Sequence, residues 1–218
     1  MSRRAGGESG ASGDADVRET GRIEAFSDGV FAVAITLLVL DLRVPHNAAD
    51  GGALLHALLN QWPAYLAFVT SFATIGIMWV NHHRMFTLIA RTDTNLMLLN
   101  GLFLLAVTFV PFPTALVAEY IPRPGAMVAA AVFNGTYIVL ALVFNALWRY
   151  AAGRGRLLHA AADSGMAEAI TRDYLLGPPM YLATFLLTFV NVSLSVILNL
   201  VLAVFWALPR RRRSLPRP

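Results

Sequence analysis

Residues Arg22–Arg43, RIEAFSDGVFAVAITLLVLDLR, decide how the rest of the chain is read. As a helix, the stretch sets Phe26, Val30, Val33, Leu37, Leu40 and Val44 at alternating steps of four and three residues, which forms one narrow apolar stripe. A seam of this spacing suits helices gathered around a common axis. Thr36 is the one hydroxyl between Ser27 and the end of the span, and it can face either the axis or its own backbone, where back-bonding would reach the carbonyl of Ala32 one turn back. Asp28 is the costly residue. A carboxylate at mid-bilayer costs about 2.5–3.5 kcal/mol and less near the interface, so Asp28 is expected to have a partner or to be protonated.

The composition around this stretch points the same way. With 57% hydrophobic and 14% charged residues in 218, the chain is too apolar for an ordinary soluble domain, and a single all-α integral membrane domain is the economical reading. Cysteine is absent, which excludes disulfides and thiolate metal sites. Every one of the 17 basic residues is an arginine, and these sit at span ends and in a tail without interleaved aromatics. The net charge of +4 therefore reads as membrane topology and not as a nucleic-acid footprint.

Taken in order, residues 1–21 are rich in glycine, serine and charge and read as a disordered cytoplasmic tail. Six transmembrane helices are expected at about 26–44, 63–82, 95–117, 126–148, 174–190 and 192–208, forming a channel domain over 22–208 as a single six-helix repeat. Pro45 stops the first, and ALLHALLN before Trp62 reads as a short interfacial helix. Pro63 fits the first turn of the second span, while Pro111 and Pro113 kink the third or end it early. Asn134 and Asn145 are polar guests in the fourth, and residues 149–173 read as an arginine-bearing loop. Tyr174–Leu208 is too long for one span and suffices for two short ones turned at Asn191. Residues 209–218 form a basic tail whose Arg210–Arg213 mark topology and suit anionic lipid.

Under this layout 15 of the 17 arginines fall on the side of the N-terminus, and only Arg43 and Arg123 on the other. Both termini are then cytoplasmic. The same orientation brings the start of the first helix and the WVNHHRMF end of the second to one side. Asp28 can be partnered there by His82, His83, Asn81, Arg22 or the Trp79 indole, in a polar network that fixes the tilt of the first helix. Adjacent histidines point about 100° apart on a helix, and no second acidic or histidine cluster completes a shell, so no metal site or cofactor is expected. A catalytic nucleophile with a base and an orienting group cannot be assembled either, so the chain does not read as an enzyme. Neither a TVGYG-type filter nor a voltage-sensing arginine ladder is present.

The residues Arg22-x-x-x-Phe26-Ser27-Asp28, followed by an apolar helix with Thr36 and ending in LLVLDL, resemble the signature of the transmembrane protein 175 family. That family consists of potassium-permeable channels of lysosomes and bacteria. The resemblance implies a modestly selective potassium channel of a bacterial cell membrane, with the pore lined by the first helix and closed by a hydrophobic constriction. It places the narrowest ring at Val33, a selectivity-influencing threonine at Thr36 and further layers at Leu37 and Leu40. Isoleucine or leucine is more common at the Val33 position, which implies a wider barrier here. One repeat supplies one pore helix, so the resemblance implies a homotetramer, with membrane lipids as the other partner. The alternative is a proton-conducting or proton-coupled transporter that uses Asp28 and His82 or His83.

Overall fold

The computed structural model describes residues 8–153, 157–159 and 164–207. All secondary structure in these is helical, apart from one isolated antiparallel bridge between Ile89 and Leu158. The elements are α1 (Glu8–Leu37), a 3-10 turn (Leu38–Asp41), α2 (Gly51–Asn60), α3 (Trp62–Phe86), α4 (Thr94–Phe109), α5 (Pro111–Tyr120), α6 (Ala126–Ala152), α7 (Ser164–Leu175), α8 (Gly177–Thr188) and α9 (Val192–Ala207).

Among the described residues, four stretches are long and apolar enough to cross a membrane: Thr20–Asp41, Trp62–Phe86, Thr94–Tyr120 and Ala126–Ala152. The last three match the second to fourth expected spans. The first is less regular than its sequence implied, because the α-helix gives way at Leu37 to the 3-10 turn and the chain is extended at Leu42. At its other end α1 reaches back to Glu8, through much of the segment whose composition read as a disordered tail. Extending an existing helix adds one hydrogen bond per residue fixed, without the cost of nucleation, and glycine and serine slow this without forbidding it.

The local signals explain most boundaries. Asp50 and Asp93 cap α2 and α4, accepting hydrogen bonds from Ala53 N–H at 2.7 Å and Leu96 N–H at 2.8 Å. Within α2 no residue is buried, as expected of an interfacial helix. Pro63 stands at the first turn of α3. The third crossing is one span broken at Val110, where Pro111 and Pro113 start a new helix on nearly the same course.

Beyond α6 the structure departs from the loop expected over 149–173. Here α6 continues to Ala152 and α7 occupies Ser164–Leu175, fixed by a hydrogen bond from Trp148 Nε1 to Thr171 Oγ1 at 2.8 Å. The final hairpin turns at Phe189–Asn191, and Asn191 Oδ1 accepts from Leu194 N–H at the start of α9. However, α8 has 12 residues and α9 has 16, about 18 and 24 Å at 1.5 Å per residue, short against a ~30 Å hydrocarbon core. Gly177, Pro178 and Pro179 explain the late start of α8, since the break at Leu176 separates it from α7. The basic residues Arg210–Arg213, Arg154 and Arg156 lie outside the described residues.

The core centres on α6, which packs against α4, α5, α8 and α9, while α3 is held between α1, α5 and α9. Phe103, Phe133, Tyr137, Leu140, Leu147 and Trp148 are fully buried along this axis. Two groups of polar side chains inside the bundle are paired across helices. Tyr137 Oη donates to Ser71 Oγ at 3.0 Å, which lies 2.7 Å from Thr114 Oγ1, tying α6, α3 and α5. Asn134 donates to Thr188 Oγ1 at 2.6 Å and Ser195 Oγ at 3.1 Å and accepts from Asn199, joining α6 to the hairpin.

Candidate functional site: the two faces of the first helix

The positions Ser27, Phe31, Ala34 and Leu38 recur at helical spacing, and all four are buried. They attach α1 to α3 and α4. Phe31 sits edge-on to His82, 5.5 Å between ring centroids, and tilted on Phe103 at 5.9 Å. His82 is itself stacked between Phe86 and Phe103. Its Nε2 lies 2.9 Å from Asn100 Oδ1, and Asn100 Nδ2 donates to Ser27 Oγ at 3.0 Å, which in turn donates to the carbonyl of Ile23 at 2.8 Å. The relay Ser27–Asn100–His82 is wholly buried and spans three helices.

Asp28 is half-buried one residue further on, and its partner is the Trp79 indole, Nε1 to Oδ1 at 2.8 Å. No histidine bonds to it. His83 instead pairs through Nδ1 with Glu24 Oε1 at 2.6 Å, an exposed contact one turn before Asp28. Antiparallel helices place residues in matching turns opposite one another, so Glu24 meets His83 and Asp28 meets Trp79. Asn81 and Arg22 do not bond Asp28 either. The Asn81 amide donates to its own helix at the Ile77 carbonyl, 3.0 Å, and Arg22 is exposed without a side-chain partner among the described residues.

Asn100 and Glu24 were not singled out from the sequence. A signal for Asn100 exists: it is a lone amide in the run LMLLNGLFLL, and an amide in hydrocarbon needs a partner.

The stripe of α1 about 100° round from this buried face is bare. Phe26 is 67% exposed, Val33 56% and Leu37 43%, and beyond the end of α1 Leu40 in the 3-10 turn is 73% and Val44 70% exposed, so nearly the whole stripe is left unpacked by the described residues, with Val30 half-buried. Thr36 shares that exposure, and its hydroxyl donates to the carbonyl of Val33 at 2.9 Å, three residues back and not four. Among the described residues no group of three or more His, Asp or Glu side chains is arranged to hold a metal.

The sequence model of the family described as "Endosomal/lysosomal potassium channel TMEM175" matches residues 22–111, from the arginine of the motif to the break in the third crossing. A protein named "Potassium channel Cha6605_3372", from Chamaesiphon minutus, is 56% identical over 191 residues, 87% of this chain and 94% of that protein. The chain belongs to the TMEM175 family. "Potassium channel B446_29190" from Streptomyces collinus is 46% identical over 207 residues, covering 92% of this chain and all of the relative. The crystal structure of a lysosomal potassium-selective channel TMEM175 homolog from Chamaesiphon minutus superposes with a TM-score of 0.79 at 54% identity, over 87% of this chain and 97% of that one. Membership makes the protein an integral, multi-pass membrane protein and gives the two faces of α1 a common setting.

Proposed function

We propose that the chain is a potassium-permeable, modestly selective cation channel in which four copies bring the exposed stripe of α1 around one axis. The observation that carries this reading is the bare seam itself. Leu37, Leu40 and Val33 are large apolar side chains at a spacing made for facing copies, yet none of the described residues covers them. Both named bacterial relatives are called potassium channels, which supports the permeant ion. Val33 then forms the narrowest ring, Thr36 offers a hydroxyl beside it, and Leu37 and Leu40 extend a dry zone that blocks ions by dewetting.

The topology belongs to the same proposal: six crossings with both termini cytoplasmic. Support comes from the antiparallel pairing of α1 with α3 and from the 15 to 2 split of the arginines. The short α8 and α9 cross as a pair, with the polar cluster of Asn134, Thr188, Ser195 and Asn199 holding the turn inside the bundle.

The test is ion flux from liposomes containing the purified chain, run with potassium, sodium and proton gradients in parallel. Potassium flux above sodium, with weaker discrimination in Thr36→Ala, is expected. No flux from a correctly assembled sample overturns the channel reading, and a purely monomeric particle without cross-linkable neighbours overturns the shared pore. A second reading, proton conduction through Asp28 and His82 or His83, has one supporting contact, the Glu24–His83 pair a turn from Asp28. Proton movement alone in the same assay would favour it.

A further inference from the structure

A second feature lies away from the seam. Between α3, α6, α8 and α9 a cleft runs along Thr74, Ile77, Met78 and Asn81 of α3, with Ala141 and Phe144 of α6 opposite. It is a narrow cleft of about 60 Å³, partly open to its surroundings. The inner wall is buried and largely apolar, and none of the lining side chains carries a charge. Half-buried Asn81, Tyr174 and Trp206 stand at one end.

We propose that this cleft binds an anionic phospholipid, with an acyl chain lying between the helices and the phosphate held at Arg84. The site does not depend on the pore reading.

Position argues for the phosphate first. The cleft-lining residues of α3 follow one stripe, 74, 77, 78 and 81, and one turn beyond Asn81 stand the buried Met85 in line with it and Arg84 at its edge. Arg84 is exposed, lies within electrostatic reach of the Tyr174 hydroxyl in the cleft, and has no carboxylate at ion-pair distance among the described residues. Charge argues next. The helices that border this end of the cleft finish in arginine, Arg84 in the last turn of α3, Arg149 in that of α6 and Arg172 in that of α7. Asp173 is a carboxylate in the same reach of Tyr174, against the three arginines at these helix ends. A phosphodiester presents the oxygens that arginine bonds in pairs. The depth argues for the chain. From Thr74 to Asn81 the cleft extends about 10 Å along α3, lined by buried alanine, phenylalanine and tyrosine. Such a wall offers a headgroup nothing and an acyl chain a dry groove.

Native mass spectrometry of the purified full chain, with phosphatidylglycerol, phosphatidylcholine and inorganic phosphate added in separate arms, tests this. Phosphatidylglycerol should be retained at about fivefold lower concentration than phosphatidylcholine, the scale of one arginine–headgroup contact. Arg84→Gln should erase that preference while leaving uncharged retention in place. Ala141→Leu, which fills the cleft from α6, should lose both lipids, and Ala203→Leu does the same from α9 should the first variant fail to fold. Equal retention of the two lipids by the parent, or an unchanged preference in Arg84→Gln, overturns the phosphate assignment. Retention undiminished by filling the cleft, or inorganic phosphate competing as well as the lipid, overturns the acyl-chain site.

Discussion

Two faces of one helix, built from neighbouring residues, have opposite fates. On one face Ser27, Phe31, Ala34 and Leu38 vanish into the bundle, and on the other Phe26, Val33, Leu37 and Leu40 stay bare. Both faces are apolar, so hydrophobicity does not separate them. What separates them is the polar group at the head of the buried one. Ser27 is committed to Asn100 and His82, and once that bond is made the rotation of α1 about its axis is fixed. The bare face is then aimed away from the subunit as a consequence of a hydrogen bond on the buried face. A buried polar relay here acts as a register mark, which is the best-attested use of such groups.

The largest expected effect comes from two substitutions two residues apart. Phe31→Ala removes a ring wedged against His82 and Phe103 and should cost about 3–5 kcal/mol of subunit stability. Val33→Ala should leave the stability of the dissociated subunit within about 0.5 kcal/mol and alter only assembly or flux. Steric-trap or detergent unfolding, paired with liposome flux, reads both; equal destabilisation would erase the distinction between the faces. Next, Asn100→Leu should cost about 1–2 kcal/mol, because it leaves buried His82 without its side-chain partner and takes a donor from Ser27 Oγ, which keeps its bond to Ile23. Adding Ser27→Ala to it should cost less than the sum of the singles, and strict additivity in that double-mutant cycle would show that the relay is not one unit.

Smaller changes sharpen the comparison at the edge of the two faces. Trp79→Phe keeps the ring and removes the donor to Asp28, for about 1 kcal/mol in a thermal unfolding midpoint. Val33→Leu should lower conductance or open probability with no change in that midpoint, and unchanged currents would move the constriction elsewhere. Smallest is His83→Gln, within about 0.5 kcal/mol, since its pair with Glu24 is exposed and such pairs contribute little.

Much of this was legible in the sequence, and the misses have physical causes. The stripe, the motif, the break at Pro111 and the turn at Asn191 are local properties, set by spacing, by proline and by side-chain capping. The partner of Asp28 was legible as a shortlist, and Trp79 was on it. Which member would win depends on the axial stagger of α1 against α3, a tertiary quantity with no trace in either segment alone. Asn100 was missed for the same reason, since its two partners come from helices far away in sequence. The helix α7 was missed because its arginine and acidic residues look like loop chemistry until Trp148 and Thr171 are seen to bond.

The break at Val110 has a mechanical consequence. Proline breaks usually act as joints, yet this one is clamped. Thr114 Oγ1 donates back to the Val110 carbonyl at 2.8 Å and meets Ser71, which also receives the Tyr137 hydroxyl. Beyond the break α5 carries Glu119, which bonds Arg43 just past the end of the first crossing. The elbow is therefore a strut and not a pivot. A load that reaches α5 passes through Thr114 to Ser71 of α3 and Tyr137 of α6 and does not bend the third helical stretch at its proline.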